Sequence, residues 1–188
     1  MQLVPEFSLG WNSAFILGIL VILFRYGLMR TVARNANKQA DFFPPMIGFE
    51  KIAYWIYTID SYLIFLYMFF ITIKFDSVWF IFGMLLYVAG LLILAKSTID
   101  YAKGYEDGFV DRGIYLFSRN PMYLSYFFIF IGMGLICASW LFILLVLIRE
   151  GATYWLILAE ERWCKTTFGS NYEAYFQKVK RYFGRKKN

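Results

Sequence analysis

From Met122 to Ile148 the chain runs without a single charged side chain, and that run limits what it can fold into more than any other feature. One membrane span needs only about 20 apolar residues, so this stretch is too long for one helix. We break it at Ala138–Ser139, which gives a tight hairpin of Tyr123–Cys137 and Trp140–Ala159. Three further apolar stretches precede it: Leu9–Phe24 (extendable to Tyr26), Ile52–Ile73 with one acid at Asp60, and Val78–Ala95. The chain as a whole is 60% hydrophobic and 17% charged, against roughly 45–50% and 25% in soluble domains. A single water-soluble core of 188 residues could not bury that excess. The expected fold class is all-α, a polytopic membrane protein with five transmembrane helices, forming one integral-membrane domain over residues 1–188.

Charge placement selects the number of spans. Arg25–Lys51, Lys96–Asn120 and the tail after Ala159 together hold 17 of the 19 basic residues. Five spans put all three segments on one side of the membrane, leaving Lys74 opposite and Arg149 inside the fifth span; four spans would divide them. The excess of basic residues on cytosolic loops then puts the N-terminus outside and the C-terminus in the cytosol; in a prokaryote the membrane would be the plasma (inner) membrane. The first stretch lacks a basic lead and a small-residue cleavage pattern, and is expected to be retained as a span. The net charge of +6 is met by anionic lipid headgroups and calls for no nucleic-acid partner.

Histidine is absent, which removes the commonest general base and the commonest metal ligand. No metal site is expected. Cys137 and Cys164 lie too far apart for a CxxC site and read as unpaired thiols. Pro44–Pro45 marks a turn before the second span.

Four features concentrate chemistry toward the C-terminal half. The segment Gly104–Tyr123 is a polar connector with three glycines that ends in Arg119-Asn120-Pro121 at the mouth of the fourth span; loops of this length between membrane helices are often functional. Glu160–Glu161 closes the fifth span, where the helix dipole disfavours negative charge, so that Arg162, Lys165 or a bound cation should compensate. Adjacent helical positions point about 100° apart, which would let one carboxylate face inward while the other meets water. Arg149–Glu150 lies within the fifth span and Asp60 within the second, as a structural ion pair or as a substrate site. Finally, Tyr172, Tyr175, Phe176, Val179, Tyr182 and Phe183 recur at helical spacing after a turn at 168–171, which predicts a cytosolic amphipathic helix on the membrane surface.

Taken in order, Gly113-Ile114-Tyr115, Arg119-Asn120-Pro121-Met122-Tyr123, Glu160-Glu161, Phe168-Gly169, Tyr172, Tyr175, Val179 and Arg181 resemble the pattern of the isoprenylcysteine carboxyl methyltransferase family. The wider group includes phospholipid N-methyltransferases. The match covers roughly residues 108–183. The resemblance implies an integral-membrane enzyme that uses S-adenosylmethionine, with residues 104–188 as its cofactor-binding and catalytic portion, and with a lipophilic small molecule or lipid-modified acceptor entering sideways from the bilayer. By position, Gly113, Tyr115, Arg119, Asn120, Pro121, Met122 and Tyr123 would line the cofactor pocket, and Glu160 and Glu161 would contact its polar end. Tyr172, Tyr175 and Arg181 would close it. Arg119, Glu161 and Arg181 are the expected catalytic residues, and Glu161→Ala should weaken methyl-donor binding while leaving the fold intact. Asn120 stands where carboxyl-methylating members commonly carry histidine, so the acceptor is an isoprenylcysteine-like carboxylate or a related lipid such as an aminophospholipid. Two other readings compete: an NADPH-dependent reductase resembling the sterol reductases, and a non-catalytic scaffold or transporter subunit.

Overall fold

The computed structural model describes residues 3, 7, 10–32, 43–104 and 109–185. The expected start of the first span at Leu9 and the acidic pair Glu106–Asp107 lie outside them. Among the described residues five α-helices follow one another: α1 (Phe15–Val32), α2 (Phe49–Met68), α3 (Val78–Gly104), α4 (Pro121–Ile136) and α5 (Trp140–Lys178), with a 3-10 turn at Gly113–Leu116 before α4. Only isolated β-bridges occur besides.

The hairpin turns where the long uncharged run was divided. Ala138 adopts φ +50°, and the Ser139 hydroxyl accepts the Phe142 amide at 3.2 Å, capping α5. Pro121 occupies the first turn of α4, where its missing amide costs nothing.

Helix ends differ from the hydropathy boundaries for identifiable reasons. α1 begins at Phe15 because the residues before it pair with the α2–α3 link: Ala14 donates to Ile71 at 2.9 Å and Ile73 to Asn12 at 2.8 Å. The same pairing ends α2 at Met68. α3 runs on past Ala95 to Gly104, and α5 past Ala159 to Lys178, with a kink at Gly169 (φ 53°, ψ −132°) inside the expected turn. Both extensions are polar and invisible to a hydropathy window, yet helical, the second apart from the kink at Gly169.

Three helices, α1, α3 and α5, are long and apolar enough to cross a membrane. Their outward faces suit lipid: Leu23, Ile81, Leu85, Leu92 and Leu147 are exposed, whereas Ser97, Thr98, Thr153 and Arg149 are buried. That is the reverse of a water-soluble bundle. The chain folds as a helical membrane protein.

α3 and α4 meet through small residues. A Cβ on Gly132 would lie 2.7 Å from both the Gly83 carbonyl oxygen and the Tyr87 amide, and one on Gly90 would lie 2.8 Å from the Ile129 amide. Backbone faces backbone, as in close-packed membrane helices. Gly132→Leu is therefore expected to abolish recovery of monodisperse protein in detergent. Gly151→Leu, whose Cβ meets nothing within 4 Å, should elute as wild type in size-exclusion chromatography.

The basic segments gather at one end of the bundle. Arg162 of α5 ion-pairs with Glu50 and donates to the Pro45 carbonyl at 2.9 Å, and the Arg119 amide donates to the Lys180 carbonyl at 3.1 Å. The opposite end holds the 10–14 segment, the α2–α3 link and the hairpin turn, joined by the Lys74 amide on the Ile136 carbonyl at 3.0 Å.

Candidate active site

The connector before α4 is bound to the tail after α5 along its length. Gly184 donates to the Phe117 carbonyl at 2.7 Å. The Ser118 hydroxyl and the Asn120 side-chain amide both donate to the Arg181 carbonyl at 3.1 Å. The Tyr175 hydroxyl donates to the Tyr115 carbonyl at 2.7 Å. Asn120 thus spends its side-chain N–H on holding the tail, a bond that a histidine ring N–H can also make. Gly113 is fixed by the same construction. Its φ is +57°, the Ile114 amide donates to Asp100 at 2.7 Å, and any Cβ would run into the Asp100 carboxylate.

Glu161 is the electrostatic centre of this clasp. Its Oε1 accepts from Arg119 Nη2 at 2.6 Å and Arg181 Nε at 3.1 Å, and its Oε2 from Arg181 Nη2 at 2.7 Å. The apolar stretch of α5 ends at Ala159, about 30 Å of helix from Trp140, so both glutamates lie beyond the membrane-spanning part. Burial alone would raise the Glu161 carboxyl, but the hydrogen bonds from Arg181 and Arg119 hold it below the usual glutamate range. Arg119 has one more duty. Its Nη1 donates to the Phe176 and Val179 carbonyls at 3.1 and 2.5 Å, which closes the end of α5.

Glu160 differs. Its hydrogen-bond partner among the described residues is the Tyr123 hydroxyl at 2.5 Å, and no described cation pairs with it. Burial, helped by the neighbouring Glu161, pushes its carboxyl up to about 7 against that bond. Both carboxylates face inward, so the expectation that one meets water is corrected. Neither do they sit at a helix end: α5 continues to Lys178, the dipole argument lapses, and Arg119 and Arg181 supply the compensating charge. Arg162 goes instead to Glu50, and Lys165 to Glu173 at 3.3 Å.

The tail helix also packs differently from a surface anchor. Tyr172 and Tyr175 are buried with Val179 against Phe109, Cys164 and Phe168, and the helix stops at Lys178, short of Tyr182 and Phe183. Its apolar face is part of the protein interior.

These elements enclose a cavity of about 470 Å³, within the range of small-molecule sites. Tyr115, Arg119, Asn120, Pro121, Met122, Tyr123, Glu160, Glu161, Tyr172 and Tyr175 all line it. Of the residues expected there, Gly113, packed against Asp100, and Arg181, paired with Glu161, stand outside the lining. Arg149, Phe168 and Pro44, singled out in the sequence for other reasons, also line the cavity, and residues that no motif announced complete the walls: Phe43, Tyr57, Tyr101, Phe109, Tyr126, Phe130 and Trp163, with Arg25. Only their aromatic and basic character could have hinted at them. Cys164 lies in the wall with its thiol pushed up to about 12, chiefly by burial, so it is no thiolate nucleophile at neutral pH. Both cysteines are free.

Within α5 Arg149 reaches Glu150 at 3.1 Å, the Tyr57 hydroxyl at 2.9 Å and Ser61 at 3.4 Å. Asp60 is buried, and its Oδ2 has no hydrogen-bond partner.

No curated protein matches the chain. The profile of the phospholipid methyltransferase family, which includes isoprenylcysteine carboxyl methyltransferase, matches residues 78–171, half of the sequence. The matched stretch begins with α3 and passes through the connector, the α4–α5 hairpin, both glutamates and the kink, leaving Tyr172, Tyr175 and Arg181 beyond its edge. A helical membrane fold, a cavity beside the Arg119–Glu161 clasp and this match agree: the chain belongs to the phospholipid methyltransferase family.

Proposed function

We propose that the protein transfers a methyl group from S-adenosylmethionine to a lipophilic acceptor, an isoprenylcysteine-like carboxylate or a related lipid. In this reading it crosses the membrane five times, N-terminus outside, with the cavity at the cytosolic face and residues 104–188 forming its cofactor-binding portion. The observation that carries the proposal is Glu160, a half-buried carboxyl on the cavity wall with a tyrosine hydroxyl as its partner and no counter-cation among the described residues.

The donor set fits that cofactor. When bound, S-adenosylmethionine supplies an electrophilic methyl group on a sulfonium. Glu160 can accept hydrogen bonds from a ribose diol or an ammonium, and the remaining Arg119 N–H can bind a carboxylate. Tyr115, Tyr123 and Tyr172 offer ring faces to a cation, each worth about 0.5–2 kcal/mol. Arg181 acts through Glu161 and is a positioning residue. In-line displacement needs no metal or covalent intermediate, so what these residues contribute is orientation and exclusion of water.

Glu160 gives the donor site a pH signature. Below about 7 the free carboxyl is protonated and loses its attraction for a cationic ligand, so donor affinity should rise with pH and level off above neutrality. At pH 6 it is expected to be about tenfold below its plateau, and Glu160→Gln should flatten the profile; an unchanged slope in the variant would remove Glu160 from the site. Activity itself is tested by transfer of a labelled methyl group from the donor to total lipid extract in reconstituted vesicles. A labelled organic-phase product is expected, and none with Glu160→Gln.

A further inference from the structure

A second cavity of about 490 Å³ opens below the first, inside the spanning part of the bundle. Its walls come mainly from α1 and α2, through Gly18, Val21, Ile22, Ile64, Phe65 and Met68. The family match starts at residue 78 and does not reach either helix. The two cavities meet at a common wall of Arg25, Tyr57, Tyr126, Phe130 and Arg149.

That junction is two arginines and three aromatic rings, with no acid among the shared residues. Arg149 is buried and lies over the Tyr57 and Phe130 rings at 4.7 and 5.0 Å. Glu150 takes one proton of its Nη1 and the Tyr57 hydroxyl one of its Nη2, leaving each terminal nitrogen a second N–H. Glu150 lines neither cavity. A buried cation at this depth is costly and usually serves a ligand or a partner. Here it divides the α1–α2 chamber from the cavity that carries Arg119, Glu160 and Glu161.

We propose that the second cavity and Arg149 form the acceptor subsite, which takes an amphiphile with an apolar chain and an anionic group, carboxylate or phosphate. The chain fills the α1–α2 chamber. The anionic group is held by the free N–H groups of Arg149, with Arg25 adding positive charge, and the nucleophilic atom, the second oxygen of a carboxylate or an amine beyond a phosphate, reaches the upper cavity beside Tyr123. The assignment of this ligand as methyl acceptor rests on the methyl-transfer reading; the anion subsite itself does not.

The test is calorimetric binding of octyl phosphate, below its micelle concentration, to protein purified in a neutral detergent, with octyl glucoside and inorganic phosphate alongside and S-adenosylhomocysteine binding measured on the same samples. Saturable binding of octyl phosphate is expected, at least about tenfold tighter than to Arg149→Gln. Neither octyl glucoside nor free phosphate should saturate. Ile22→Trp, which narrows the chamber from an exposed position on α1, should weaken octyl phosphate binding and leave S-adenosylhomocysteine binding unchanged. Equal affinity for octyl phosphate in wild type and both variants would overturn the subsite, as would saturation by free phosphate at the same site. Octyl phosphate binding without any binding of S-adenosylhomocysteine would keep the subsite and overturn the methyl-donor reading instead.

Discussion

Replacing Glu161 with alanine is expected to lower the Tm in detergent by about 10 °C and to abolish methyl-donor binding along with it. Glu161 is 5% exposed and neutralises two arginines that come from elements on opposite sides of it. Removing one member of a buried ion pair costs about 3–5 kcal/mol, because the surviving charges stay buried without compensation. Arg181, with a side chain 22% exposed, can turn toward solvent, which puts the loss near the lower figure. At about 2–4 °C per kcal/mol for a chain of this size, the shift is readily measured. Arg119 also ties down the Phe176 and Val179 carbonyls, so the tail, the connector and the Tyr115–Tyr175 bond loosen together. The charge explanation has its own control. Combining Glu161→Gln with Arg119→Met and Arg181→Met removes the orphaned charges and should recover part of the lost Tm without recovering donor binding. A triple variant no more stable than Glu161→Ala would show that packing, and not charge, holds the clasp.

Glu160→Gln should behave in the opposite way. Its carboxyl is already costly to keep ionised in this site, so the amide is expected to leave the Tm unchanged or slightly raised. Donor affinity should fall tenfold to a hundredfold, the loss of one charge-assisted hydrogen bond of about 1.5–3 kcal/mol. The pair of adjacent glutamates would then separate by experiment into one that holds the fold of the site and one that holds the ligand. Isothermal titration on both variants, next to their melting curves, makes the comparison. A Glu160→Gln protein that melts far below wild type would reassign Glu160 to the clasp.

The division of labour between the glutamates could not be read from the sequence, and the reason is physical. Two carboxylates in a row signal a special helix turn, but their partners, Arg119 and Arg181, lie 42 and 20 positions away and come together only when the tail folds back over the connector. Local signals did better. Ser139 after Ala138 is a cap in the middle of an apolar run, and the hairpin forms there; Phe168-Gly169 is a break before a new apolar period, and the helix kinks at Gly169. The ordered motifs from Tyr115 to Tyr175 marked most of one cavity wall because they lie on consecutive elements of the same end. Tyr57, Phe43 and Arg25 could not be found in this way. They sit in hydrophobic helices or beside them, where any aromatic residue reads equally well as lipid-facing. The α3–α4 interface was also invisible, since Gly83, Gly90 and Gly132 are ordinary residues of a membrane helix until the two backbones are seen to touch.

Binding of S-adenosylmethionine to the detergent-purified protein, measured by calorimetry with S-adenosylhomocysteine and NADPH alongside, is the direct test of the cavity as a methyl-donor site. Micromolar affinity for both sulfur compounds and none for NADPH is predicted, with the affinity for S-adenosylmethionine weakening as the pH falls below 7. Binding of NADPH alone, or of none of the three, would contradict it.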